Sequence, residues 1–221
     1  MELYHLLNRG VDKRTIFMDD RDRARFVHDM FEFNDVALAG NAYRRFSPKM
    51  GLRNPSSVRS KIVDIHGWVL MRNHYHLLVS ERVENGITRF IRKLNVGYAN
   101  YFNERYERSG ALFQGRTKRI LIDSDPHFLH MLHYIHLNPL DMVSESKNWR
   151  EGTVKSAARA LAHLESYRWS SYLDYCGKKN FPSILTTSLF EDVLGNVKKK
   201  TREYLEDIEI ESMQYLLLED A

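Results

Sequence analysis

KIVDIHGWVLMRNHYHLLVS, residues 61–80, holds two apolar, β-prone runs, Lys61 to Met71 and Tyr75 to Ser80, separated only by Arg72, Asn73 and His74. That spacing predicts an antiparallel hairpin. His74 and His76 flank Tyr75, and because side chains alternate faces along a strand, both imidazoles project to one side and can share a metal ion. Two histidines on one strand face are more often packed or solvated than metal-bound. The pair therefore takes its meaning from the rest of the chain.

Upstream, Leu3 to Leu7 reads as a short strand closed by the turn residues Asn8, Arg9 and Gly10. Asp19 and Asp20 are placed to cap a helix whose apolar positions Phe26, Val27, Met30 and Phe31 recur at helical spacing. From Ala37 to Ser60 no period is visible, and Arg44, Arg45, Lys49, Arg53 and Arg59 mark a long basic loop. Downstream, Ile87, Phe90, Ile91, Leu94, Tyr98, Tyr101 and Phe102 trace one helical stripe that ends near Ser109 and Gly110. Lys118 to Asp123 predicts a fourth strand. Ser124 or Asp125, followed by Pro126, then starts a helix that stops before Pro139. The order strand, helix, strand, strand, helix, strand, helix is satisfied by an α+β fold, a four-stranded antiparallel sheet with helices on one face. The remainder reads as mainly helical, including Trp169 to Tyr172, a loop around Pro182, and helices from Ser188 to the end.

With 221 residues the chain can bury a substantial core, and one domain with an appendage is the expected organisation. A single cysteine, Cys176, excludes an intrachain disulfide and a cysteine-based zinc site. The start of the chain lacks a signal-peptide pattern and no apolar run is long enough to span a bilayer, so the sequence reads as soluble and cytoplasmic, with no membrane partner. The net charge is +4, unevenly placed: eight Lys or Arg fall between Arg89 and Arg119 against Glu104 and Glu107, whereas Glu203 to Ala221 holds seven acidic residues and no basic one. A basic middle suits a polyanion, although a solvated helix face would look the same.

Three separated motifs carry a resemblance. Met71-Arg72-Asn73-His74-Tyr75-His76-Leu77-Leu78-Val79 resembles the hallmark strand of the HUH nucleases. Leu132-His133-Tyr134-Ile135-His136-Leu137-Asn138-Pro139 is similar to the helix bearing the nucleophilic tyrosine in the single-tyrosine transposases, above all the REP-associated ones. Tyr4, His5, Asn8, Arg9 and Gly10 match the opening strand and turn of that family, and Trp169 to Tyr172 is a weaker echo. The resemblance covers roughly Tyr4 to Val143. It implies a ferredoxin-like or RRM-like catalytic domain over residues 1–143, followed by a helical extension over 144–221.

The resemblance further implies that Tyr134 is the nucleophile of a metal-dependent single-strand DNA endonuclease and transposase. His74, His76 and Asn138 would hold the ion, Mg²⁺ or Mn²⁺. Tyr134 and Asn138 lie four apart, hence on one helix face; some relatives carry the longer Gln at the second position. Attack on a phosphate leaves a 5′-phosphotyrosine and a free 3′-hydroxyl, so the phosphoester is conserved and strands can be rejoined. A free phenol has a pKa near 10, which makes activation necessary. His130, four before Tyr134, is a conceivable proton acceptor, with a packing role favoured over it. His130, His133 and His136 turn by about 60° at each step and diverge rather than converge on an ion. The expected partner is single-stranded or hairpin DNA, with Arg89, Arg92, Lys93, Arg116, Lys118 and Arg119 as candidate phosphate contacts. Tyr98, Tyr101 and Phe102 read as core rather than base-stacking residues, and Phe113 is available for stacking. The family includes monomers and homodimers. The alternative reading is a domesticated or non-catalytic nucleic-acid-binding protein, since the same element order occurs in RNA-binding folds.

Overall fold

The computed structural model describes residues 1–37, 59–123 and 125–206, without the side chains of 125–127, 129, 192 and 193. Most of the basic loop, the start signal at Ser124 and the acidic tail beyond residue 206 lie outside the described residues.

Four strands, β1 (Leu3–Arg9), β2 (Val63–Leu70), β3 (His74–Glu81) and β4 (Lys118–Ile122), form one antiparallel sheet in the order β2-β3-β1-β4. Helix α1 (Asp20–Phe33) connects β1 to β2, and α2 (Gly86–Arg105) connects β3 to β4. This is the β-α-β-β-α-β arrangement of ferredoxin-like folds. Asp19 caps α1 as expected, its carboxylate accepting from the backbone N–H of Arg21 and Asp22. The apolar stripe of α2 is buried, but the helix ends at Arg105, several residues before Gly110.

Strand periodicity separates two cores. Leu6, Ile65, Trp68, Leu70, Tyr75, Leu77 and Val79 point to the face covered by α1 and α2, whose Phe26, Met30, Phe90, Leu94 and Tyr98 pack on them. Leu3, Val69 and Leu78 point the other way, onto α3 (Asp125–Leu137), which contributes Met131, Leu132, Tyr134 and Ile135. Helices on one face thus describes α1 and α2, while the tyrosine helix lies on the opposite face. A 3-10 turn, Asn138–Met142, follows α3 directly.

The extension contains α4 (Ala157–Ser166), α5 (Tyr172–Tyr175), α6 (Ser188–Leu194) and α7 (Val197–Glu206). Its Trp149, Leu161, Leu164, Tyr172, Phe190 and Leu205 share a core with α3. It also protects the outer edge of β2, a position where unpaired backbone groups invite aggregation. The Leu70 N–H donates to the Trp169 carbonyl at 2.9 Å. The Trp68 N–H donates to the Ser171 hydroxyl at 3.0 Å, which gives the Trp169–Tyr172 motif a structural role. Among the described residues no helix is long and apolar enough to cross a membrane.

Candidate active site

Strand alternation places His74 and His76 on the α3 face of the sheet, with ring centroids 5.0 Å apart and ring planes at 81°. His76 is fully buried, and its Nδ1 lies 2.8 Å from His5 Nε2. Its Nε2 has no hydrogen-bond partner among the described residues. Burial, reinforced by the charges of His74 and His5, holds the His76 pKa well below the ordinary imidazole value. The ring is therefore neutral at physiological pH, the form in which histidine binds metals. His74 is less buried, and its Nδ1 sits 2.7 Å from Asn73 Oδ1. The Asn73 amide also donates to the Lys13 carbonyl at 3.1 Å, which ties the histidine strand to the turn after β1.

Tyr134 comes from α3 of the same chain and is buried. Its ring centroid lies 5.8 Å from that of His76 and 6.1 Å from that of His5, edge-on in both cases. Asn138 stands one turn further along. Its Nδ2 donates to the Tyr134 carbonyl at 2.8 Å, and its Oδ1 accepts from Arg150 Nη2 at 3.0 Å. Both ends of the side chain are thus engaged at the helix terminus, and the oxygen expected to ligate a metal is held by a guanidinium. Arg150 also places its Cζ 5.4 Å from the Tyr134 ring centroid.

Sequence reading did not single out His5 or Arg150 as site residues. His5 carried a signal, a polar residue in the apolar run Leu3 to Leu7. Arg150 carried none, because nothing local distinguishes it from other surface arginines. The three histidines of α3 do not converge on one point: His136 Nε2 lies 2.8 Å from Ser171 Oγ, while His133 stacks on Tyr204 and His130 meets the same ring at another angle. Among the described residues no group of three His, Cys, Asp or Glu is arranged to hold a metal.

Beside the histidines, a cleft of about 330 Å³ is lined by Leu7, Asn8 and Gln114 and by the cations Arg9, Lys13, Arg116 and Lys118. Register explains the proximity: Leu7 pairs with His76, Arg9 with His74, and Lys118 with Leu7. The other candidate contacts lie elsewhere. Arg119 stacks over Tyr4 at 3.9 Å and reaches Glu81 at 3.6 Å, on the far face of the sheet. Arg89, Arg92 and Lys93 are on α2, which packs on that same far face; Lys93 Nζ donates to the Asp35 carbonyl at 2.8 Å. Tyr98, Tyr101 and Phe102 are buried in the core, and Phe113 is partly buried against it.

The ferredoxin-like sheet thus sets a His-x-His strand against a helix-borne tyrosine, with both histidines on the face that carries the tyrosine ring. Residues 56–138 match the family model of the IS200-like transposases. The matched segment includes both histidines, Tyr134 and Asn138; His5 and Arg150 fall outside it. Among solved structures, a REP-associated tyrosine transposase bound to a REP hairpin is similar at 13% identity, with a TM-score of 0.47, covering 84% of this chain and 85% of that one. No curated protein sequence matches.

Proposed function

We propose that the chain is a transposase that cleaves and rejoins single-stranded or hairpin DNA through a 5′-phosphotyrosine at Tyr134. The observation that carries this reading is the placement of Tyr134 against His76, with ring centroids 5.8 Å apart in a buried face of the sheet. In the cleavage step the phenolic oxygen forms a bond to phosphorus and the P–O3′ bond breaks. A proton leaves the phenol and one is taken up by the departing 3′ oxygen. Rejoining is the reverse attack by a 3′-hydroxyl, which needs no ATP because the phosphoester is conserved.

The donor set fits a divalent cation in part. His76 offers a buried Nε2 without a hydrogen-bond partner among the described residues, and His74 lies beside it; these two would hold Mg²⁺ or Mn²⁺. Asn138 would be the third donor once its oxygen is released from Arg150. When bound, the ion supplies Lewis-acid polarisation of a phosphate oxygen. His5 orients His76, Asn73 orients His74, and the packing of α3 keeps Tyr134 at the pair. Of the candidate phosphate contacts, Arg116 and Lys118 line the cleft next to the histidines, which favours them over Arg89, Arg92, Lys93 and Arg119. One chain supplies both the histidines and the tyrosine, so a monomer is sufficient for the site and a homodimer is compatible with it.

A non-catalytic binding module of the RNA-binding type would present aromatics on an open sheet face. Here α1 and α2 cover one face of β1 to β3, while α3 and the extension cover the other. The test is to incubate the protein and a Tyr134→Phe variant with labelled single-stranded hairpin DNA from around its own gene, with Mn²⁺ or EDTA. A covalent band requiring both Tyr134 and metal is expected. Hairpin binding without any adduct would support the binding reading instead.

A further inference from the structure

Trp149 and Arg150 open a 3-10 turn, Trp149–Glu151, in the extension, outside the segment matched to the transposase family. Trp149 is buried with its ring centroid 5.8 Å from that of Tyr134, and its indole N–H donates to Asp141 Oδ1 at 2.8 Å. Arg150 ion-pairs with the same carboxylate through Nη1 and points Nη2 at Asn138 Oδ1. The guanidinium is 17% exposed and lies over Tyr134, close enough for its charge to oppose protonation of His76.

A purely structural arginine would be satisfied by Asp141. This one extends a second nitrogen to a neutral amide oxygen one helical turn from Tyr134. Asp141 fixes one side of the guanidinium and leaves its Nη2 edge turned towards Asn138 and the Tyr134 ring, where a phosphate oxygen would approach. Arginine also presents a rigid fork of donors that matches phosphate geometry. We propose that Arg150, lent to the active site by the extension, is a catalytic residue that binds a non-bridging oxygen of the scissile phosphate, exchanging Asn138 Oδ1 for it when DNA enters. The exchange places positive charge where negative charge accumulates during attack, and it frees the Asn138 oxygen. The extension is then part of the active site and more than a support for the fold. The proposal deepens the cleavage reading and rests on it.

The test compares wild type, Arg150→Gln, Arg150→Lys and Tyr134→Phe, each as the full chain, for hairpin affinity and for the rate of covalent adduct formation with Mn²⁺. Gln keeps an amide donor but removes the charge and the second nitrogen that pairs with Asp141, so the folding of each variant is checked by thermal melting. Arg150→Gln is expected to slow adduct formation on the order of 100-fold, as for other lost transition-state donors, well beyond the loss of hairpin affinity that one missing phosphate contact causes; Arg150→Lys falls between it and wild type. A rate for Arg150→Gln within about threefold of wild type, with Tyr134→Phe inactive, overturns the role of Arg150 and leaves the tyrosine chemistry standing. A wild-type chain that binds the hairpin and forms no adduct overturns both.

Discussion

His5 Nε2 and His76 Nδ1 approach to 2.8 Å, and the two rings stack at 5.0 Å with their planes 7° apart. The bond joins neighbouring strands diagonally, since His5 pairs with Leu78 and His76 with Leu7. When His76 donates from Nδ1, its Nε2 carries a lone pair directed into the site, the tautomer a metal requires. An outer partner of this kind orients the ligand and raises its basicity.

His5→Phe should therefore weaken Mn²⁺ binding about 10- to 100-fold, as is usual for lost outer-shell partners of metal ligands. His5→Gln, which keeps an acceptor, should recover part of that loss. Isothermal titration of the DNA-free protein measures it; equal affinity in His5→Phe would remove His5 from the site.

Gly67 lets α3 approach the sheet. A Cβ there would lie 2.7 Å from Leu132 Cδ1, at the irregularity in β2 between Ile65 and Gly67. Gly67→Ala should cost about 1–3 kcal/mol through overpacking, and should also slow adduct formation because Leu132 precedes Tyr134 by two residues. Gly97→Ala provides the contrast: its Cβ would meet Phe33 Cε2 at 2.4 Å, on the far side of the sheet. It should lower stability and leave the adduct rate of the folded fraction unchanged. Urea denaturation and adduct kinetics on both variants separate the two effects.

Stability should fall in mild acid, partly through His133. Burial, aided by His130 and Lys200, pushes its pKa down to about 4. The unfolded chain binds the proton near pH 6.5, so the stabilising effect is fully present above that value and is lost as pH falls towards 4. Between pH 7 and pH 5 this one group should cost about 2 kcal/mol at 1.36 kcal/mol per unit. His133→Gln should show a correspondingly shallower loss in urea titrations at the two pH values. An identical pH dependence in both proteins would refute the assignment.

Hairpin binding should depend on the cleft beside the histidines. Arg116→Ala and Lys118→Ala should each weaken binding and lower the slope of log K against log salt by about 0.7, the value for one lost phosphate contact on a single strand. Arg89→Ala and Arg92→Ala should change the slope less, because α2 lies across the sheet from Tyr134. The reverse ranking would move the DNA path to the α2 side.

Much of this architecture was legible in the chain alone. The two-residue period of 74–81 determined that His74 and His76 share a side, and the helical period determined that Tyr134 and Asn138 lie one turn apart. These are local facts, imposed by backbone geometry within a single element. The order of strands and helices likewise restricted the topology to few choices. Which side α3 would cover was not legible, since a helix apolar around much of its surface, as Met131, Leu132, Tyr134 and Ile135 make it, can pack either way. Nor was the pairing of His5 with His76, 71 positions apart, or the arrival of Arg150 at Asn138 from the extension. Such contacts depend on strand register and on how two apolar surfaces fit, which the tertiary structure decides by burying them together.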